Sequence, residues 1–133
     1  MRELINHTLI AGKEELAVIQ LQNDEVMPKT ENLEPIWAII KTYDEVTLIL
    51  SEKLAEPYSK KENGWRYLKV KGIFDFGQIG ILSSILNPLA DGGISILTFS
   101  TFNTDYIMIK DNMFERSIEI LQENGYTILK EDD

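Results

Sequence analysis

Polar side chains that could bind a small molecule are concentrated in the stretch STFNTDY, residues 100–106. It places hydroxyl, amide and carboxylate groups around one aromatic ring, at the join of two predicted strands. In one interpretation this is a recognition loop: Asp105 accepts a hydrogen bond from a cationic group of a ligand, and Phe102 covers that ligand. Thr101 and Asn103 then orient it. In the other interpretation, the stretch is an ordinary polar turn whose Asn103 and Asp105 bond to their own backbone.

A second candidate is the glycine-rich segment FDFGQIGI, residues 74–81, which leads into a predicted helix. Backbone N–H groups in the first turn of a helix can bind a small anion such as an α-carboxylate. The segment does not match G-x-G-x-x-G and contains no basic residue, so a phosphate site is not expected. Equally, its glycines could serve only to permit a tight turn between a strand and a helix.

Signatures of catalysis and of metal binding are weak. His7 is the only histidine, and the chain has no cysteine, which excludes Cys-His pairs and leaves one imidazole for any Ser-His-Asp arrangement. The carboxylates at Asp75, Asp91 and Asp111 are scattered, without the spacing of a metal-binding loop. The sequence therefore predicts a protein that is not an enzyme, with no catalytic residues, no metal and no cofactor.

Composition narrows the class of partner. The 133 residues are 44% hydrophobic and 26% charged, which is typical of a folded protein with one ordinary domain or two small ones. The net charge of −9 argues against nucleic acid and against anionic membrane surfaces as partners, because both repel an acidic protein. No apolar run approaches the roughly 20 residues of a spanning helix. With no cysteine and no signal-peptide pattern, we expect a cytoplasmic location.

The first half of the chain is rich in predicted strands. One strand is expected over residues 15–21, and two apolar runs, 37–40 and 46–50, predict a hairpin. Residues 4–10 are consistent with an edge strand. The charged segment 52–64 contains a proline and ends in Asn-Gly, which favours a linker; a surface excursion within one domain is the alternative.

The second half is more regular. After an alternating strand at 65–72, Leu82, Ile85, Leu86 and Leu89 form one helical apolar stripe that Gly92-Gly93 ends. Two strands, a helix that closes at Gly125 and a last strand follow. This order is the ferredoxin-like β-α-β-β-α-β pattern. We therefore predict an α+β fold of two such units: a shortened N-terminal one, residues 1–60, and a complete one, residues 61–133.

Residues 74–110, FDFGQIGILSSILNPLADGGISILTFSTFNTDYIMIK, closely resemble the second half of tandem ACT-domain proteins. The shared order is a Gly-Ile turn, a helix ending in Pro-Leu-Ala, a Gly-Ile-Ser strand and then Ser-Thr-Phe-Asn-x-Asp. The likeness extends over residues 65–125, and it is nearest to small bacterial ACT proteins and to the ACT domains of cytosolic arginine sensors. Residues 1–60 resemble the family only in strand order.

The resemblance implies a regulatory protein that binds a small ligand, mostly an amino acid, between paired domains. Its ligand-binding residues correspond here to the turn, the loop and the helix of the apposed domain, namely Gln78, Gly80, Ile81, Ser84, Ile85, Thr101, Phe102, Asn103 and Asp105. The sensors have two such halves in one chain. Because this chain has one, two copies are expected to pair as a homodimer.

One position departs from the pattern of the sensors, which have glutamate where this chain has Gln78. Without that carboxylate, the electrostatic preference for a dication is weaker, so the ligand could be a neutral amino acid or absent. The leading hypothesis is an amino-acid-binding regulatory homodimer, with a regulated enzyme as a further partner. The alternative is a ligand-free ACT-like module for protein–protein interaction. A small acyltransferase-like enzyme is disfavoured, because the chain lacks a base and a pyrophosphate loop.

Overall fold

The computed structural model describes residues 8–33, 36–72 and 80–131. The chain divides into two compact units: a helical unit, Met1–Lys13 with Arg66–Asp133, and an inserted unit, Glu14–Trp65. In chain order the elements are β1 Thr8–Ala11, β2 Leu16–Gln20, β3 Ala38–Lys41, β4 Val46–Ser51, β5 Lys61–Val70, α1 Ile81–Asp91, β6 Ile96–Ser100, β7 Asp105–Lys110, α2 Asp111–Glu123 and β8 Thr127–Lys130, with short 3₁₀ helices at Thr30–Asn32 and Glu52–Leu54.

The helical unit is an α+β fold with the predicted β-α-β-β-α-β order, from β5 through α1, β6, β7 and α2 to β8. Its strands follow the order β6-β7-β5-β1-β8. Strand β1 runs antiparallel to β5, with Leu9 opposite Val70, and parallel to β8, with Leu9 opposite Ile128. The ferredoxin-like fold is confirmed, with the N-terminal strand as an additional member of its sheet.

Both helices bury one apolar face against this sheet, as their periodicity predicts. Ile85 and Leu89 of α1 are buried, and Gly93, at φ +78°, follows where the helix ends. The left-handed conformation at Gly93 has little steric cost without a side chain. The buried core consists of Leu9, Ala11, Leu68, Val70, Ile85, Leu89, Ile94, Ile107, Ile109, Phe114, Ile120, Leu121 and Tyr126.

The inserted unit contains the predicted hairpin. Strands β3 and β4 pair antiparallel, β4 pairs with β2, and β2 pairs with residues 61–65 of β5. Within its described residues the helical elements are only the two 3₁₀ helices, and at Glu14–Trp65 it is the shorter of the two units. Its core consists of Ala17, Ile19, Leu33, Leu48, Leu50, Ala55 and Tyr58.

These units differ from the division between residues 60 and 61 that the sequence suggested. Thr8–Ala11 is no edge strand, because it has a neighbour on each side, β5 and β8. The N-terminal strand therefore belongs with the C-terminal elements. Residues 4–7 lie outside the described residues.

The segment 52–64 is not a linker. Ala55 and Tyr58 are core residues of the inserted unit, and residues 61–64 belong to β5. Lys61 Nζ donates to the carbonyl oxygens of Ala55 and Glu56 at 2.9 and 3.1 Å. The charged residues and the proline of segment 52–64 therefore lie on a packed surface turn. This is the alternative interpretation, a surface excursion within one domain.

A glutamate organises the loops of the inserted unit. Glu25 accepts hydrogen bonds from the N–H groups of Gln22 and Ser59, both at 2.9 Å, and from the Ser59 hydroxyl at 3.1 Å. These donors lower the pKa of Glu25, the Gln22 N–H most. Burial, and then the charge of Glu25, raises the pKa of neighbouring Tyr58, whose hydroxyl donates to Val26 O at 2.9 Å.

Candidate functional site

One end of the helical unit brings together segments that are distant in the sequence. Because Leu9 lies opposite both Val70 and Ile128, the carboxyl end of β5 and the amino end of β8 meet at the same end of the sheet. The Thr104 hydroxyl donates to Val70 O at 2.8 Å, which holds the turn between β6 and β7 there as well.

Helix α1 begins at this end too. Tyr126 directly precedes β8, and its hydroxyl forms a short hydrogen bond with the hydroxyl of Ser84, in the first turns of α1. The amino end of α1 and the β6–β7 turn therefore share one end of the unit. The two segments that the sequence singled out are brought to the same region.

The β6–β7 turn closes through threonines. The Thr101 N–H donates to Thr104 O at 2.8 Å, and the Thr101 hydroxyl accepts from the Thr104 N–H at 3.3 Å. Asn103 and Asp105 were expected to cap this turn if it were purely structural. Thr101 has that role instead, and Thr104, which is buried, anchors the turn.

The remaining side chains of the turn differ in exposure. Phe102 is 80% exposed, and Asn103 is exposed. Asp105 is half-buried at the start of β7, and its carboxylate accepts a hydrogen bond from the hydroxyl of Ser100, its pairing partner in β6. The turn therefore presents an aromatic ring, an amide and an oriented carboxylate.

Gly80 and two serines shape the start of α1. Gly80 precedes the helix with φ +82° and provides no side-chain cap. The Ser84 N–H and the Ser83 hydroxyl both donate to Gly80 O, at 3.0 and 3.2 Å. Since the first N–H groups of a helix have no partner within it, this end carries partial positive charge.

The predicted residues of α1 have unequal roles. Ile81 and Ser84 are half-buried, and the Ser84 hydroxyl also donates to Ile81 O at 2.8 Å. Ile85 is only 1% exposed and belongs to the core, so its side chain is removed from those that a ligand could touch. Gln78 lies outside the described residues.

Three residues of this region were missed by the sequence analysis as contributors: Ser100, Thr104 and Tyr126. Ser100 orients Asp105, Thr104 fixes the turn to β5, and Tyr126 holds the first turns of α1. Ser100 and Thr104 lay within the polar stretch, whose repeated hydroxyls were a visible signal. No sequence pattern indicated Tyr126, because it lies 42 residues from its partner Ser84 in the chain.

Two further findings bear on the class of site. Among residues 8–33, 36–72 and 80–131, no group of histidine, aspartate and glutamate side chains is arranged to hold a metal ion. In the same part of the chain, no helix has the length and hydropathy that crossing a membrane requires.

Comparison with known proteins identifies the fold family. Residues 60–123 match the family model of the ACT domain, and the resemblance seen in the sequence is confirmed for that part of the chain. Among curated proteins, none matches this sequence.

Several solved structures are similar over most of the chain. A protein from Agobacterium tumefaciens, 25% identical, superimposes with a TM-score of 0.81 over 95% of this chain and 94% of its own. An aspartate kinase from Synechocystis, 14% identical, has a TM-score of 0.69 over 95% of this chain but 28% of the kinase. The ligand-free regulatory subunit of aspartate kinase from Thermus thermophilus, 6% identical, has a TM-score of 0.53 over 84% and 91%.

Proposed function

We propose that this chain is a non-catalytic regulatory protein that binds a small amino acid through its ACT domain. The observation that carries the proposal is the meeting of the α1 amino end with the β6–β7 turn at one end of that domain. The similarity to a regulatory subunit of aspartate kinase supports a regulatory role.

The two segments have complementary charge. The amino end of α1 attracts an anion through backbone N–H groups, whereas Asp105 offers a carboxylate to a cation. An α-amino acid carries both charges, one bond on either side of its Cα. Gly80 has no side chain to cover the helix end, and Phe102 is exposed enough to cover a bound ligand.

We further propose that two copies complete the site as a homodimer, with residues 79–91 near the two-fold axis. Phe102, at 80% exposure, and Leu97, at 37%, are apolar groups that a second copy would cover. A regulated enzyme is the natural further partner of such a dimer, in a cytoplasmic setting. Sedimentation that shows a monomer at every micromolar concentration would contradict the dimer.

A second function, protein–protein contact without a ligand, is favoured by a different observation. The polar groups of Asp105 and Ser84 already have partners within the unit, Ser100 and Tyr126. Groups that are satisfied in this way gain less from a ligand. In that case no amino acid binds, and the protein binds a specific enzyme through the same surface, which a pull-down experiment would detect.

A thermal-shift screen over the twenty amino acids tests the proposal first. A ligand at 100 times its Kd raises the free energy of unfolding by about 2.7 kcal/mol, which is readily measured. If no amino acid stabilises the protein, the ligand-free alternative is favoured and the amino-acid proposal fails.

The second step is calorimetric titration of the amino acid that stabilises most, against wild type and Asp105→Asn. Loss of the charge should weaken binding by about 1.5–3 kcal/mol and leave the dimer intact. Asp91→Asn is the matched control, because Asp91 is an exposed carboxylate at the other end of α1. Binding within twofold for wild type and Asp105→Asn would place the site elsewhere.

A further inference from the structure

The helical unit contains a pocket of about 400 Å³ that is separate from the candidate site. It is lined by residues of α2, of β8 and of the segment that follows β1, together with Arg66 of β5. Arg66 and Ala11 lie in the strands towards the end opposite Val70. The volume is in the lower part of the range of small-molecule sites.

The inner wall of the pocket is apolar. Phe114, only 1% exposed, forms part of it, and the half-buried side chains of Ile118 and Ile128 contribute the rest of this surface. These residues come from α2 and β8, whose main-chain positions are set by the core. The wall is therefore a preformed surface for an aliphatic or aromatic group.

Arg66 lies at the polar side of the pocket. Its guanidinium carbon lies 4.3 Å from the centre of the Phe114 ring, and its terminal nitrogens donate to Asp111 Oδ1 and Gly12 O, both at 3.3 Å. Both distances are long for charged hydrogen bonds. Nε is buried and bonds to none of the described residues, so the guanidinium, a five-donor group, is incompletely satisfied.

The charge around the pocket is balanced, unlike that of the whole protein. Three basic residues line it, Lys13, Arg66 and Lys130, against the two acidic residues Glu115 and Glu131, and Asp111, which pairs with Arg66 at 3.3 Å, adds a third carboxylate, whereas the chain carries −9. The Glu131 carboxylate accepts hydrogen bonds from the main-chain N–H of Lys13 at 3.0 Å and from the Tyr67 hydroxyl at 3.3 Å. The pocket therefore favours an anion more than the surrounding surface does.

We propose that this pocket is a second ligand site, for a small monocarboxylate with an apolar tail. The carboxylate binds Arg66 and the tail packs on Ile118 and Ile128. The α-ammonium group that the first site reads is not needed here. The proposal is independent of the amino-acid site, and each can fail without the other.

The test uses phenylacetate, a carboxylate with an aromatic tail, and its neutral amide, phenylacetamide. Titration of the full chain is followed by methyl NMR. We expect saturable shifts at the methyl groups of Ile118 and Ile128 with phenylacetate, and binding of the amide weaker by about tenfold. No saturable shift at these methyl groups overturns the proposal, as does equal binding of acid and amide.

Variants assign the recognition to Arg66. Arg66→Gln should weaken phenylacetate binding by about tenfold, whereas Arg116→Gln, an exposed arginine of α2 that does not line the pocket, should leave it unchanged. Ile118→Trp is a second variant, for the case that Arg66→Gln does not fold. It fills the pocket and leaves the hydrogen bonds of Arg66 in place, and it should abolish phenylacetate binding. Equal binding by wild type and Ile118→Trp overturns the proposal. Shifts at the Thr101 and Thr104 methyl groups instead would place phenylacetate at the first site.

Discussion

The two units of this chain reach a folded core by different means. In the helical unit, α1 and α2 lay continuous apolar faces on a sheet, and residues such as Ile85, Phe114 and Leu121 are fully buried. The inserted unit has only 3₁₀ helices among its described residues, and its smaller core relies on strands β2 and β4 and on the turn around Tyr58. The core of the helical unit is thus completed by α-helices, and that of the inserted unit by 3₁₀ helices and loops that contribute Leu33, Ala55 and Tyr58.

One loop in each unit is held in place by a side chain, and that side chain is neutral in the helical unit and charged in the inserted unit. The β6–β7 turn of the helical unit is tied to β5 by a buried, neutral hydrogen bond from Thr104. The inserted unit ties its 22–25 turn to Ser59 through the partly exposed carboxylate of Glu25. The contribution of a buried hydrogen bond between neutral groups to the free energy of unfolding does not change with pH or salt, whereas that of a partly exposed charged group does. This difference leads to measurable predictions.

The largest expected effect is a cavity in the helical unit. Phe114→Ala should lower its free energy of unfolding by about 3–5 kcal/mol, because a buried aromatic side chain is removed from the core. Both described α-helices are in this unit, so helical circular dichroism reports on it. Both tryptophans, Trp37 and Trp65, are in the inserted unit, so their fluorescence reports on the other.

If the dichroism transition moves further than the fluorescence transition, the helical unit loses more stability than the inserted unit, as expected. If both probes shift equally after Phe114→Ala, the two units unfold as one cooperative structure. Their different construction would then have no energetic consequence.

The reciprocal change is Leu48→Ala, in the core of the inserted unit. Leu48 is fully buried, so the expected loss is about 2–5 kcal/mol. Here the fluorescence transition should move further. Val26→Ala is a suitable control in the same unit, because Val26 is 80% exposed and its truncation should have little effect. An equal loss in both variants would mean that the small core contributes little.

The local elements of the helical unit were predictable from the sequence because they are set by local patterns. The stripe Leu82, Ile85, Leu86 and Leu89 predicted α1, and the paired glycines predicted its end at Gly93. The hairpin of β3 and β4 followed from two apolar runs around a polar turn. Each of these signals lies within about twenty residues.

Partners far apart in the chain were not predictable. The pairing of Thr8–Ala11 with β8 joins the two ends of the sequence, and no local pattern encodes it. In segment 52–64, charged residues obscured the buried Ala55 and Tyr58. The same limit applies to the candidate site: its polar turn was visible, whereas the burial of Ile85 and the contact of Ser84 with Tyr126 depend on packing. The Arg66 pocket combines four distant segments, and no sequence pattern predicted it.

A smaller effect is expected at the neutral anchor of the helical unit. Thr104→Val keeps the shape of the side chain but removes the donor to Val70 O, and should cost about 1–2 kcal/mol. Thr104→Ser, which keeps the hydroxyl, should cost less, and Thr127→Val, at an exposed position of β8, should cost nothing measurable. If Thr104→Val and Thr104→Ser are equally stable, the hydroxyl is not an anchor. The loss from Thr104→Val should be the same at pH 4 and pH 7, because neither partner titrates.

The smallest effect, and the one that depends most on pH, is expected at Glu25. Because its folded pKa is lowered, mainly by the Gln22 and Ser59 N–H groups, the folded state favours the charged carboxylate. This contribution is fully present above the unfolded pKa of about 4.3, and it is lost as pH falls through the lower folded pKa. Wild type should therefore lose stability in its fluorescence transition on acidification, and Glu25→Gln should lose less over the same interval. Glu56→Gln, at an exposed glutamate of the same unit, should behave as wild type does. If wild type and Glu25→Gln have parallel pH profiles, the carboxylate does not anchor the loop; if the dichroism transition alone follows Glu25, the assignment of this anchor to the inserted unit is wrong.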